Sequence, residues 1–307
     1  MSSTILFQQL LVLMALMFTG FFAYKAKLVD DHTNSKLSSL MVWVLNPALM
    51  ISGVIGKDNP LSNRMILENI IMVFVLYTSM FLIGFIYIFV FRTKGNKSYL
   101  YRMEFLFPNV GFMGIPLVKE LFGPQYIVLV AFYTLAFNVI CYTYGVHLAS
   151  RLGGKKEPFN PGRLISPGVV TALVSITIFA LHLNVPTPIV SYVDYLGNAA
   201  IAFSMLIIGI SLAKVDWKTA FAKMEYILFL IADMIVIPLI IVYLSRFLPF
   251  DTIIVRIFQI MVCMPVASMT CMFAQEYGGD GTECAKLIAM STVLTVITAP
   301  LVIFIAG

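Results

Sequence analysis

Ten apolar runs, separated by short breaks that contain charged residues, glycine or proline, follow one another along the chain. A helix needs about 20 apolar residues to cross a bilayer, and each run is close to or above that length. Apolar runs without strict alternation are typical of membrane helices and not of barrel strands. The pattern therefore predicts an all-α polytopic membrane protein with ten transmembrane helices, at residues 5–24, 37–55, 65–91, 103–121, 125–150, 163–182, 189–213, 220–247, 253–275 and 282–305.

The composition agrees with a protein whose solvent is lipid. Of the 307 residues, 60% are hydrophobic and only 11% are charged, whereas a soluble domain has roughly 25% charged residues. The loops between the predicted helices are too short to form a soluble domain. We therefore expect a multi-pass protein of the cell membrane, with the lipid bilayer as its largest partner.

The basic residues are distributed unequally between the two sets of loops and adjoining helix ends. One set has fifteen and the other has five, and the richer set should be cytoplasmic because positive charge is retained there. The alternation holds through ten spans, which supports the helix count and places both termini outside the cytoplasm. It also explains the net charge of +5 without a nucleic-acid partner. The richer set consists of Lys25, Lys27, Lys36, Arg92, Lys94, Lys97, Arg102, Arg151, Lys155, Lys156, Arg163, Lys214, Lys218, Lys223 and Lys286.

A polar stretch at the midpoint divides the chain into two halves. Residues 151–162 form a predicted cytoplasmic linker, with five spans before it at 1–150 and five after it at 163–307. Halves with an odd number of spans have opposite orientations, which is the layout of inverted-repeat transporters. The separations from Pro108 to Pro265, 157 residues, and from Glu120 to Glu276, 156 residues, indicate one repeat length.

The fourth predicted helix contains residues that interrupt a helix in mid-span. Pro108 and Pro116 break the hydrogen-bond ladder, Gly111 and Gly114 lower helix propensity, and Asn109 adds a polar amide. Lipid tolerates such a stretch only where protein or a water-filled cavity satisfies the freed backbone groups. Half-helix N-termini made in this way attract anions in transporters. A proline kink that only shapes packing is the alternative, but the matching proline in the other half favours a substrate site.

Other polar residues at membrane depth have both a structural and a functional interpretation. Pro265, Ser268 and Thr270 cluster in the ninth helix, Asn46 lies in the second and Ser204 in the seventh. Serine and threonine in membrane helices usually bond to their own backbone, and small residues let helices approach closely. We include all five among the candidate substrate-binding residues, although a packing role is favoured for those in the second and seventh helices.

Ionisable residues at membrane depth are candidates for proton or ion coupling, because burying a charge in lipid is costly. Asp233 lies among apolar residues in the eighth helix and could carry a proton. Its alternative is a hydrogen-bonded structural carboxyl. Glu104 lies one turn before Asn109, and its alternative is a solvated carboxylate paired with Arg102. Gln275, near the end of the ninth helix, is a third candidate.

Two other classes of protein fit the sequence less well. An anion channel would carry rings of basic residues at depth, and none of the 20 basic residues lies in mid-span. An intramembrane enzyme would need a nucleophile with its base, paired aspartates or a metal cluster, and Asp233 has no second mid-span aspartate. We therefore expect no catalytic residue, no metal site and no cofactor.

Four segments resemble the auxin efflux carrier family, which includes plant auxin exporters and bacterial malate or malonate permeases. The likeness covers nearly the whole chain, and the short central loop is similar to that of the bacterial members. The ninth helix carries Ser268 and Thr270 where the plant carriers have an asparagine, so the substrate is not transferable. The four segments are FPNVGFMGIPLVKELFG, NPALMISG, LGNAAIAFSMLIIGISLA and MPVASMTCMFAQEYGGD.

The resemblance implies a fold and a mechanism. The broken fourth and ninth helices cross near the membrane midplane, with the substrate carboxylate and Asn109 at the crossing. Helices 1, 2, 6 and 7 form a scaffold, often a homodimer, while the other six move in an elevator-type cycle of alternating access. The expected function is secondary transport of a small organic anion, driven by protons, by sodium or by the anion gradient alone.

The predicted topology leads to a labelling experiment. In a cysteine-free background, cysteines placed at Ser2 and at Lys155 should react with an impermeant maleimide from opposite sides of the membrane. This follows because ten spans put the N-terminus outside and the central linker inside. Labelling of both positions from the same side would show that the helix count is wrong.

Overall fold

The computed structural model describes residues 3–56, 61–154, 162, 165–183, 185–279 and 281–307. Residues 155–161, which form most of the predicted linker, and Ser2 lie outside the described residues. In the described part the regular structure is helical, with one isolated bridge between two residues. The α-helices are α1 Ser3–Lys25, α2 Asp31–Leu40, α3 Asn46–Ser52, α4 Asn63–Phe91, α5 Asn96–Leu106, α6 Ile115–Phe122, α7 Ile127–Ile140, α8 Val146–Leu152, α9 Pro167–Leu181, α10 Thr187–Ala213, α11 Trp217–Phe221, α12 Met224–Ile231, α13 Ile237–Ser245, α14 Thr252–Val262, α15 Met269–Glu276 and α16 Gly281–Ala306.

The helices confirm the all-α polytopic fold class. In the described chain, six helices are long and apolar enough to cross a membrane, and two shorter ones are also apolar. The fourth and ninth predicted spans are each divided into two shorter helices, α5 with α6 and α14 with α15. The total of ten spans therefore stays a prediction. The six long helices are Phe7–Lys25, Asn63–Phe91, Pro124–Leu152, Thr187–Ala213, Met224–Ser245 and Gly281–Ala306.

Among the described residues, four segments of the predicted spans are π-helical, and three of them precede a proline. They are π1 Met41–Leu45, π2 Val110–Gly114, π3 Cys141–Gly145 and π4 Ala232–Val236. Proline cannot donate to the carbonyl four residues earlier and clashes with it, so the preceding turn widens. Pro47, Pro116 and Pro238 stand two residues after π1, π2 and π4. The backbone N–H groups of Asn46 and Ile237 accordingly donate to carbonyls five residues back.

The first of two compact units is held together by close helix approaches at glycine. It comprises Met1–Leu67, Val110–Leu135 and Ile165–Lys214. Gly20 of α1 lies on the backbone of Leu206 in α10, and Gly209 of α10 lies on the backbone of Met17 in α1. A side chain at either position would occupy the place of the facing backbone, so these two helices pack at their closest where glycine allows it.

The second unit comprises Glu68–Asn109, Ala136–Leu164 and Val215–Gly307. Its α16 is largely buried and packs against α13, α15 and π4. Gly145 in π3 lets the ring of Phe107 approach, because a Cβ there would lie 2.9 Å from the Phe107 Cζ. The buried Glu68 carboxylate accepts a hydrogen bond of 2.7 Å from the backbone N–H of Asp251 at the start of α14. This bond ties α4 to α14.

The two units do not follow the two halves of the sequence. Each contains segments from both the first 150 residues and the last 145 residues of the chain. Contacts within each unit therefore join elements that are distant in sequence. The predicted inverted repeat divides the chain by sequence order, into halves at 1–150 and 163–307, and not by contacts. It therefore stays a prediction.

The glycine contacts between α1 and α10 generate a stability prediction. Gly209→Ala should lower the free energy of unfolding by about 1–3 kcal/mol, because the added methyl group forces α10 away from the Met17 backbone. Gly111→Ala is the matched control, since a Cβ there meets no atom within 4 Å. Thermal unfolding in detergent measures both variants. Equal midpoints for the two variants would contradict the packing at Gly209.

Candidate functional site

The broken fourth and ninth spans meet in the second unit through their backbones. Residues 107–109 follow α5 and residues 263–268 follow α14, and both stretches leave the helical conformation. Pro108 and Val266 form an antiparallel bridge. The Asn109 N–H donates to the Pro265 carbonyl at 2.7 Å, and the Ala267 N–H donates to the Phe107 carbonyl at 2.9 Å. We call these two stretches the crossing.

The prolines explain why both helices end at this point. Neither Pro108 nor Pro265 can donate a helical hydrogen bond, and a residue that precedes proline disfavours the helical conformation. Phe107 accordingly has φ −119° and ψ 76°. The backbone groups that the break releases are buried, and in the crossing they pair with one another. The Val266 N–H finds a further partner in the Ser291 hydroxyl of α16, at 3.2 Å.

Asn109 lies in the crossing and is buried. The residue is 4% exposed, and its backbone is held by Pro265 on the opposite strand of the crossing. A primary amide offers two N–H donors and one acceptor oxygen. Asn109 therefore brings a fixed, uncharged hydrogen-bonding side chain to the crossing.

Five of the predicted site residues lie in the first unit. Gly111 is partly exposed and borders open space, whereas Gly114 and Pro116 are buried in π2 and α6. Ser204 is fully buried, and its hydroxyl donates to the Ile201 carbonyl of its own helix at 2.9 Å. That bond favours the packing interpretation for Ser204. The buried Asn46 side-chain oxygen makes no hydrogen bond in the described chain.

The remaining residues of the ninth span differ in their surroundings. Ser268 is partly exposed and directly precedes α15, and its side chain does not cap that helix. Thr270 is 1% exposed, and its hydroxyl donates to the Ala267 carbonyl at 3.0 Å. Gln275 is exposed near the end of α15, against Gly281. Thr270 is thus the side chain of α15 that is joined to the crossing.

Glu104 is buried within the second unit and is not solvated at its surface. It is 1% exposed, and among the described residues neither carboxyl oxygen has a hydrogen-bond partner. The Arg102 side chain packs on Phe85 instead, with its guanidinium carbon 3.9 Å from the centre of the Phe85 ring. The surface pair of Glu104 with Arg102 is therefore not formed, and the Thr270 hydroxyl and Cys284 thiol lie beside the carboxyl instead.

Asp233 is the second buried acid, at 8% exposed. It lies in π4, where the widened turn precedes Pro238, and it is near enough to Glu104 for the two carboxyl groups to interact electrostatically. The hydroxyl of Thr295 in α16 donates to the sulfur of the adjacent Met234 at 3.5 Å. The two acids predicted from sequence are therefore both buried in the second unit, within range of electrostatic interaction.

Sequence reasoning did not identify Ser291 or Cys284 as part of this region. Both lie on α16, which reads as an apolar span with scattered small polar residues. They are seven residues apart, about two helical turns, and so share one face of α16, but the sequence does not say which element that face contacts. A buried Ser291 in contact with a broken backbone is the kind of partner that membrane proteins supply to freed N–H groups.

A sequence profile for the family described as "Membrane transport protein" matches residues 5–163 and 158–303, which is nearly the whole chain. This protein belongs to the Membrane transport protein family. The family is the auxin efflux carrier-like one, so the resemblance seen in the four sequence segments is confirmed. The membership makes the chain a membrane transporter and not an enzyme.

Curated relatives agree with the family. An uncharacterized transporter of Methanocaldococcus jannaschii is 24% identical over 305 residues, which cover 97% of this chain and 96% of the relative. A protein of Rhizobium meliloti named "Putative malonate transporter" is 24% identical over 296 residues, covering 92% of this chain and 90% of the relative. An uncharacterized transporter of Methanothermobacter thermautotrophicus is 23% identical over 295 residues, covering 88% and 96%.

Proposed function

We propose that this membrane transporter is a secondary active carrier of small organic anions, with the substrate carboxylate bound at the crossing. The observation that carries the proposal is the crossing itself. Two broken spans pair through their backbones, and the buried Asn109 is one of the residues that form this pairing. Transporters place their sites at such discontinuous helices.

The chemistry of the crossing suits a carboxylate that has to be released again. Asn109 donates hydrogen bonds without bringing a positive charge, and no basic residue of the 20 lies in a predicted mid-span. A carrier must bind its substrate firmly enough to select it and weakly enough to let it go. An uncharged amide meets both requirements better than a buried arginine does.

The name of the Rhizobium meliloti relative directs attention to malonate. We propose carboxylates of this size, malonate-like or malate-like, or an auxin-like monocarboxylate, as the substrates to test. The supporting feature in this chain is the uncharged crossing, where Ser268 and Thr270 follow Pro265. The hydroxyl of the partly exposed Ser268 offers an additional donor to a second carboxylate or to a hydroxyl of the substrate.

The division into two units supports an elevator-type cycle of alternating access. The first unit includes the predicted helices 1, 2, 6 and 7, which would form the scaffold and, if the carrier is a homodimer, the dimer surface. The second unit includes the crossing, α4, α12, α13 and α16. One departure from the expected division is Val110–Leu135, which groups with the first unit.

We propose the plasma membrane as the location, with both termini outside the cytoplasm. The proposal rests on the 15 to 5 distribution of basic residues between the two sets of loops. The ion pairs Lys97–Glu225 and Lys223–Glu283 are both formed by lysines of the richer set. Their acidic partners, Glu225 and Glu283, therefore lie at the predicted cytoplasmic ends of α12 and α16.

Exchange transport distinguishes this carrier from the alternative, an anion pore. Proteoliposomes preloaded with unlabelled malonate should take up labelled malonate faster than empty ones, because a carrier that returns loaded exchanges faster than one that returns empty. Malate and indole-3-acetate are tested in the same way. Uptake that never saturates and is not accelerated by internal substrate would favour a pore.

The crossing generates a prediction about Asn109. Asn109→Ala removes a hydrogen-bond donor to a charged group, which contributes about 1.5–3 kcal/mol, so malonate binding should weaken by about 10- to 100-fold. Ser268→Ala and Thr270→Val should weaken it less, because hydroxyl groups have alternative backbone partners. Isothermal titration calorimetry on the purified proteins measures the affinities.

Asn96→Ala is the matched control for Asn109→Ala. Asn96 is an exposed asparagine at the start of α5, the helix that leads to the crossing, and it lies outside the predicted span at 103–121. Its replacement should leave malonate affinity unchanged. Wild-type affinity in a well-folded Asn109→Ala protein would move the substrate site away from the crossing.

A further inference from the structure

The carboxyl group of Glu104 is buried in the described part of the second unit. It is 1% exposed, both of its oxygens are buried, and neither accepts a hydrogen bond. An ionised carboxylate without partners in an apolar interior costs several kcal/mol. The neutral acid avoids most of that cost, so the structure fits a protonated Glu104.

Among the groups of the described residues that act on the Glu104 carboxyl, none carries a positive charge. Among the described residues, the side chains that act on it are Asp233 of π4, Cys284 of α16 and Thr270 of α15. On the helix that packs against α5, α8, His147 is exposed and stacks with Tyr144. An ionised Asp233 would oppose ionisation of Glu104, since like charges repel strongly at low dielectric.

Thr270 links this carboxyl group to the crossing. Its hydroxyl lies beside Glu104 and donates to the Ala267 carbonyl at 3.0 Å. The N–H of the same residue, Ala267, donates to the Phe107 carbonyl at 2.9 Å, which is one of the hydrogen bonds that hold the crossing together. A hydroxyl has one proton to donate, so Thr270 can serve the Ala267 carbonyl or the Glu104 carboxylate, but not both.

We propose that Glu104 binds and releases a transported proton, and that Thr270 transmits the change to the crossing. With Glu104 protonated, Thr270 donates to the Ala267 carbonyl, as in the structure. When the O–H bond of the Glu104 carboxyl breaks and the proton leaves to water, the carboxylate accepts the Thr270 hydroxyl. The Ala267 carbonyl then loses its partner. This inference rests on the proposed transport function and names protons as the coupling ion.

Infrared spectroscopy tests the protonation of Glu104 without any substrate. The purified wild-type protein in lipid should show the carbonyl stretch of a protonated carboxyl group at neutral pH. Glu104→Gln should reduce this band, whereas Asp233→Asn should leave the Glu104 component in place. A band at neutral pH that Glu104→Gln does not change would overturn the proposal, whatever the protein transports.

Proton movement in proteoliposomes tests the coupling. A malonate gradient across wild-type vesicles with an enclosed pH-sensitive dye should drive a proton flux, and Glu104→Gln should still exchange malonate but lose that flux. Thr270→Val should keep the infrared band and reduce the pH dependence of malonate affinity several-fold. Thr270→Ser retains the hydroxyl and should therefore keep the pH dependence of the wild-type protein. A flux that persists in Glu104→Gln but is lost in Asp233→Asn would assign the proton to Asp233 instead.

The outcomes separate this inference from the proposed function. If wild-type vesicles transport none of the three anions, the transport proposal fails, while the infrared result still decides whether Glu104 holds a proton. If malonate uptake depends on sodium and no proton flux accompanies it, the coupling proposal fails and the transport proposal stands. Gel filtration of each variant shows whether it is folded.

Discussion

The absence of water in the bilayer core is the constraint on which this structure depends. Every backbone N–H and C=O group there must find a partner within the protein. Two spans of this chain are interrupted by prolines in their apolar interior, which frees several such groups at once. The crossing solves the problem for both spans together, because each interrupted segment supplies the partners that the other lacks. A mid-membrane binding site is therefore compatible with a stable fold here.

Proline has two different effects in this chain. At Pro108 and Pro265 the helix ends and the backbone becomes extended. At Pro47, Pro116 and Pro238 the helix continues, but the preceding turn widens into a π-helical segment. The difference lies in the available partners, since an extended segment in lipid needs a second extended segment beside it. In the widened turns, backbone N–H groups donate to carbonyls five residues back in the same helix, and Asp233 lies in one of these turns.

The helical class and the position of the crossing could be predicted from the sequence, because both depend on local properties of the chain. Hydropathy marks the spans, and Pro108, Asn109 and Pro265 mark the interruptions. The partners of these residues could not be predicted in the same way. Ser291 and Cys284 lie on a span whose facing neighbour is set by tertiary packing, and the widened turns shift side chains away from regular helical spacing.

Glu104 shows how the same limit affects a functional residue. A carboxylate that lies two residues from Arg102 and near the predicted cytoplasmic surface would ordinarily find a basic partner. Residues two apart point to different sides of a helix, however. In the structure Arg102 stacks on Phe85, while Glu104 faces Thr270 and the neighbourhood of Asp233. The direction of the Glu104 side chain decides whether it forms a surface ion pair or is a buried acid. Its position along the predicted span does not decide this.

The buried acids and the uncharged crossing are connected by electrostatics in the proposed mechanism. An organic anion held by an amide brings negative charge into a region of low dielectric, where no basic side chain offsets it. An ionised Glu104 would add a second negative charge nearby, whereas a protonated Glu104 adds none. Anion binding at the crossing and ionisation of Glu104 therefore oppose each other, and by reciprocity the anion favours the protonated carrier. Cotransport of a proton with the anion follows from this opposition, and the Thr270 hydroxyl adds a direct structural path between the two sites.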